Sequence, residues 1–221
     1  ELATDGFLDD YQRIGHKRSI LRGDNETLKL ELIEDVADMR RERFVTDGVA
    51  LLDMTWRDTS QSEDVRRAAL VSLGRLGYSL VTSMHSWVKA GITDHWEVPL
   101  VKHLRKRVAP ALIEEAGRPD TPFAADIFMV VGKLGHTEGV EALLARVERA
   151  SVAPDAAWQA AVVGLGLAQD EASLGRLVGV LDARLHELEA QELTDLGWAL
   201  GEVARHYVPG SDKGVEVHFD T

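Results

Sequence analysis

The chain of 221 residues contains no cysteine. Disulfide bridges, thiolate metal sites and thiol nucleophiles are therefore excluded from any account of its fold or chemistry. Aromatic residues make up only 6% of it, so a core must come from aliphatic and small side chains. No apolar run approaches the roughly 20 residues needed to cross a bilayer, and no signal-peptide pattern is visible. The expectation is a soluble cytoplasmic protein with no membrane contact. Positive charge is also scarce, with 25 Lys and Arg against 37 Asp and Glu and a formal net charge of −12. Nucleic-acid binding rests on phosphate neutralisation, so this balance disfavours it while leaving room for a local basic face. There is no glycine-rich phosphate loop and no nucleophile elbow. The histidines are scattered. His95 and His103 are eight apart, and His136 and Glu138 fall near a helix start, but neither arrangement meets a zinc ligand count. No catalytic residue, metal or cofactor is expected, and an enzyme is the weaker reading.

What the chain does have is helical periodicity. Asp24-Asn25-Glu26 reads as a helix start, followed by Leu28, Leu32, Val36 and Met39 on one face. A second helix over about 44–57 turns Phe44, Val45, Val49, Leu52 and Trp56 inward. Asp64–Gly77 is the clearest stretch, with apolar residues at 65, 69, 70, 73 and 76, and its helix is expected to end near 76 with a partner over about 78–90. A longer helix spans about 95–116, buried along Val101, Leu104, Val108, Ala111 and Leu112. Further helices are expected to 134, over 137–149, from Pro154-Asp155 to about 168, from Glu171 to about 188, and over 190–206. Residues 1–24 read as an N-terminal cap on a single domain reaching to 206. The tail, 207–221, alternates apolar and polar at Val215–Phe219, which suits a strand or a disordered end.

The helix at Asp64–Gly77 recurs. Leu73-Gly74, Val131-Gly132, Leu165-Gly166 and Leu200-Gly201 align, with Ala69, Ile127, Ala161 and Leu196 four places earlier and Leu76, Leu134, Ala168 and Val203 three places later. Offsets of −4, 0 and +3 make one helix face. An interior glycine costs about 1 kcal/mol against alanine. Four at one register therefore need a shared cause, and close approach of the next helix is the simplest. The later intervals of 34 and 35 residues suit helix–turn–helix repeats. The first is 58, which marks the 95–116 helix as an insertion into the opening repeat.

The pattern resembles the HEAT-repeat superfamily, most nearly the short HEAT-like repeats of the phycocyanobilin-lyase type. Asp64–Gly77 matches a first helix of such a repeat, Pro122–Val147 and Ala156–Leu181 match whole repeats, and Leu193–Ala204 matches half of one. The resemblance implies an all-α superhelix of about five helix pairs with one inserted long helix. It says little of function, since such repeats serve enzymes and scaffolds alike. HEAT-like deoxyhypusine hydroxylases carry several His-Glu pairs as iron ligands, and only His186-Glu187 has that form here. HEAT-like DNA glycosylases use tryptophan, aspartate and arginine on a basic surface, which Trp56-Arg57-Asp58 echoes against an unfavourable net charge. No motif specific to bilin attachment is present.

Two surfaces stand out. Lys102, His103, Arg105, Lys106 and Arg107 form a local positive face opposite the buried stripe of the inserted helix. The second helices supply Trp87, then Arg146 and Arg149, then Arg176 and Arg184, on the face where such solenoids usually bind partners. The leading expectation is a non-enzymatic interaction scaffold or adaptor that binds a protein partner along its concave face or the 95–116 helix. A nucleic-acid-binding or glycosylase-type protein is the alternative, and a regulatory segment of a larger enzyme is a further one.

Overall fold

A computed structural model of the chain describes residues 19–39, 42–149 and 154–206. Most of the expected N-terminal cap and the whole 207–221 tail lie outside the described residues. Among the described residues the structure is helical, with no strand. In order come α1 (Glu26–Ala37), α2 (Glu42–Arg57), α3 (Glu63–Lys89) and α4 (Glu97–His103). A π-helical segment (Leu104–Val108) leads directly into α5 (Ala109–Ala116). Then follow α6 (Ala124–Leu134), α7 (Thr137–Val147), α8 (Ala156–Ala168), α9 (Ser173–Arg184) and α10 (Ala190–His206).

The starts are set by side chains that accept the free amides of a first turn. Asn25 accepts from Leu28 N at 3.1 Å, Ser62 from Val65 N at 3.3 Å and Asp155 from Trp158 N at 2.7 Å. α1 and α2 pack on α3, after which α3, α6, α8 and α10 lie side by side as one layer. α5, α7 and α9 form a second layer, with α7 against α8 and α9 against α10. This two-layer order is compatible with a helical solenoid. Leu73, Val131 and Leu165, at the centre of the repeated face, are all buried. Trp158 is fully enclosed between the layers, and its indole N–H donates to Val147 O at 3.1 Å.

The repeated glycines do let helices approach. A Cβ on Gly132 would collide with the Gly164 backbone, lying 2.7 Å from its carbonyl carbon. One on Gly166 would meet Trp198 at 2.7 Å and Ala199 Cα at 3.0 Å, and one on Gly74 would meet Val130 Cγ2 at 3.1 Å. Gly201 departs from the series. It is exposed, and a Cβ there would have nothing within 4 Å among the described residues, because no described helix follows α10.

Three local expectations are corrected. Gly77 does not end a helix. α3 runs unbroken for 27 residues, because Gly77 is a second close-contact position, where a Cβ would lie 2.8 Å from Leu134 Cδ2. The pair expected at 63–76 and 78–90 is thus one helix, and α4 to α5 take the place of its partner. The 95–116 helix is not uniform: Ala109 N–H donates to Leu104 O, five residues back. Pro110 has no N–H to give, and its ring would clash with the carbonyl four residues earlier in a regular helix. The widened turn relieves that clash. Finally, Leu28, placed inward by periodicity, is 45% exposed.

Candidate functional site

The widened turn sits at the mouth of a cleft of about 720 Å³. Arg105, Lys106 and Arg107 reach it from the π segment and His85 from α3. The α6–α7 turn contributes Gly135 and His136, and the α8–α9 turn contributes Gln169. Gly135 and Gln169 stand one repeat apart, and both adopt left-handed backbone, with φ of 49° and 54°. That geometry is free for glycine and costs a residue with a Cβ about 1 kcal/mol or more.

Arg105 is half-buried and its Nε donates to Leu134 O, the last carbonyl of α6, at 2.8 Å. Burial brings its guanidinium down to about 10. Burial also lowers His85 and His136, and the Arg105 charge lowers both further, while Glu138 partly opposes the shift at His136. Both imidazoles are thus held neutral by their surroundings near pH 7. The His136 ring is folded over the first turn of α7 in space that Gly139 leaves open, where a Cβ would lie 2.7 Å from its Nδ1. Both of its ring nitrogens are shut off from solvent and have no hydrogen-bond partner. The exposed carboxylates Glu138 and Glu171 also line the cleft.

The other residues singled out from the sequence fall elsewhere. Lys102 is exposed beside the cleft. Trp87 is a strut: its indole N–H donates to Glu97 at 2.8 Å, and its ring stacks on His95 at 4.3 Å. Arg146 and Arg149 line a second cleft of about 700 Å³ with Phe128 and Pro122, where Arg146 is paired to Asp155 at 2.6 Å. Arg176 is clamped by Glu141 at 2.8 Å and Glu148 at 2.6 Å. Arg184 is 5% exposed, its guanidinium 5.7 Å from the Trp158 ring centre, so it faces the interior rather than a partner. The sequence-selected residues therefore converge only at the π segment. His85, His136 and Gln169 carry no signal in sequence, since their closeness depends on tertiary approach.

The chain matches no protein-family model. It matches no curated protein either. Among solved structures it is similar to an engineered protein at 13% identity, with 87% of this chain and 97% of that one covered and a TM-score of 0.42. It is also similar to human deoxyhypusine hydroxylase in complex with glycerol, at 16% identity, 87% and 84% coverage and a TM-score of 0.34. Likenesses this low bear on neither the cleft nor its chemistry. Among the described residues, no three His, Asp or Glu side chains gather as a metal-ligand set. No described helix is long and apolar enough to cross a membrane.

Proposed function

We propose that the protein is an interaction module that binds an acidic segment of a protein partner at the π-helical corner. One observation carries the reading. On a chain of net charge −12, Lys102, Lys106 and Arg107 are exposed on successive turns and make no ion pair with any described residue, whereas Arg146 and Arg176 are tied to carboxylates. Unpaired cations so placed attract carboxylates within a Debye length and steer their approach. The resemblance of the repeats to short HEAT-like repeats of the phycocyanobilin-lyase type is consistent with a binding scaffold and supplies no reaction. Glu138 and Glu171 beside the cations disfavour a duplex phosphate backbone.

Fluorescence anisotropy with a labelled glutamate-rich peptide tests the reading. The peptide binds the parent at low salt, and binding fades as salt rises. Reversing Lys102 and Lys106 to Glu together weakens it roughly tenfold, from about 0.7 kcal/mol per exposed pair lost. Labelled duplex DNA at equal salt binds less well. An unchanged peptide affinity in the double reversal, or tighter binding of the duplex, overturns the proposal.

A further inference from the structure

The inner end of the same cleft is built differently from its exposed edge. Its lining is mostly polar, with Val140 and Ala168 among the few hydrocarbon side chains. Its volume of about 720 Å³ falls in the range of small-ligand sites, roughly 300–1,000 Å³. Three observations converge on it. Arg105, Lys106 and Arg107 enter from one widened turn, and the Nε bond to Leu134 O fixes the plane of the Arg105 guanidinium. The His136 imidazole is aimed at the start of α7 with neither nitrogen satisfied by protein. α7 itself begins without any side-chain cap, so the amides of its first turn are uncapped by protein. Gln169 adds an independent sign. Its backbone conformation is the one Gly135 adopts a repeat earlier, yet the chain places there a residue whose side chain lines the cleft, at a conformational cost glycine would avoid.

The geometry points to a binding site for a phosphoryl group, a phosphomonoester, in this cleft. A tetrahedral oxyanion offers terminal oxygens to donors on several sides, which suits cations on one wall and helix amides with an imidazole on the other. A planar carboxylate would leave part of that set unused. Glu138 and Glu171 repel a continuous polyanion, and they accept from hydroxyl or amino groups next to a single phosphate. The ligand is therefore a phosphate borne on a hydroxylated or aminated group. It is either a free small molecule such as O-phosphoserine or a sugar phosphate, or the same chemistry displayed as phosphoserine on a peptide. The site goes beyond the acidic-segment reading and holds whether or not that reading does.

The test is an amide NMR titration of the whole chain with inorganic phosphate, O-phosphoserine and a phosphoserine peptide, against sodium chloride of matched ionic strength. Saturable shifts at Thr137, Glu138, Gly139 and Gln169 are expected in the millimolar range with phosphate and not with chloride. Tighter binding of O-phosphoserine than of the peptide identifies a small-molecule source, and the reverse a protein source. Arg107 is exposed and outside the core, so Arg107→Ala leaves the melting temperature unchanged while weakening phosphate roughly tenfold, as expected for losing one charge-assisted hydrogen bond. Gln169→Gly weakens binding while raising stability. Shifts reproduced by chloride, shifts that do not saturate, or an Arg107→Ala affinity equal to the parent's would overturn the assignment, even if the glutamate-rich peptide binds.

Discussion

Gly132 and Gly201 occupy the same register of the repeat and answer to opposite physics, so replacing each with alanine makes a paired experiment. At Gly132 the added methyl collides with the Gly164 backbone, with the carbonyl carbon at 2.7 Å. No rotamer change relieves a backbone clash, so α6 and α8 must separate. Overpacking of this kind costs about 1–3 kcal/mol, and the same methyl returns about 1 kcal/mol of helix propensity. With the clash at the upper end of that range, the net loss is about 2 kcal/mol, or roughly 4–8 °C in melting temperature for a chain of this length. At Gly201 nothing lies within 4 Å of the added methyl among the described residues. The propensity gain of about 1 kcal/mol stands alone there and raises the melting temperature by roughly 2–4 °C. Far-UV circular dichroism melts, repeated with urea, read both. A Gly132→Ala protein as stable as the parent, or the same sign of change at both positions, would refute the view that these glycines exist for helix approach.

Acid stability follows from two carboxylates. Glu148 is held below its usual 4.5 by hydrogen bonds from Arg176. Burial works to raise Asp155, but the Arg146 hydrogen bonds and the Trp158 N–H together lower it below its usual 3.8. A depressed carboxylate contributes stability that is present above its unfolded value and is lost as pH falls through the folded one. Melting temperature should therefore drop as pH falls below about 4.5, and the drop should be smaller in a protein lacking both Arg146 and Arg176; equal acid sensitivity in the two would contradict the assignment. Trp158→Phe removes the indole N–H and leaves Val147 O buried without its donor, for about 1–3 kcal/mol. Urea unfolding should show a lower midpoint at unchanged slope, and an unchanged midpoint would count against that bond.

The sequence made the stack legible because one helix face repeats with its glycine, and a missing Cβ at fixed register has few causes other than contact. It misread Gly77 for the same reason that it read Gly74 correctly. Both are close-contact glycines, but Gly77 comes after a completed repeat helix, where a stop is the local expectation. Nothing local distinguishes a glycine that ends a helix from one that seats Leu134. The stripe Val101, Leu104, Val108 and Leu112 fits regular helical spacing, so the π turn left no mark beyond Pro110. At the cleft, Arg105 to Arg107 were visible as a charge run. His85, His136 and Gln169 are separated from them by tens of residues and join them only when α3, α6 and α8 stack.

The glycine series also distributes stiffness. Where α6 meets α8, backbone touches backbone at Gly132 and Gly164, and such a joint has no side chain to rearrange under load. Where α3 meets α6, the space above Gly74 is filled by Val130 and Lys133 side chains, which can shift rotamer and yield. A bending force along the stack is therefore absorbed at the α3–α6 seam more readily than at the next one. His85 lies on one side of that seam and His136 just beyond the other, so the cleft straddles the compliant joint of an otherwise stiff spring.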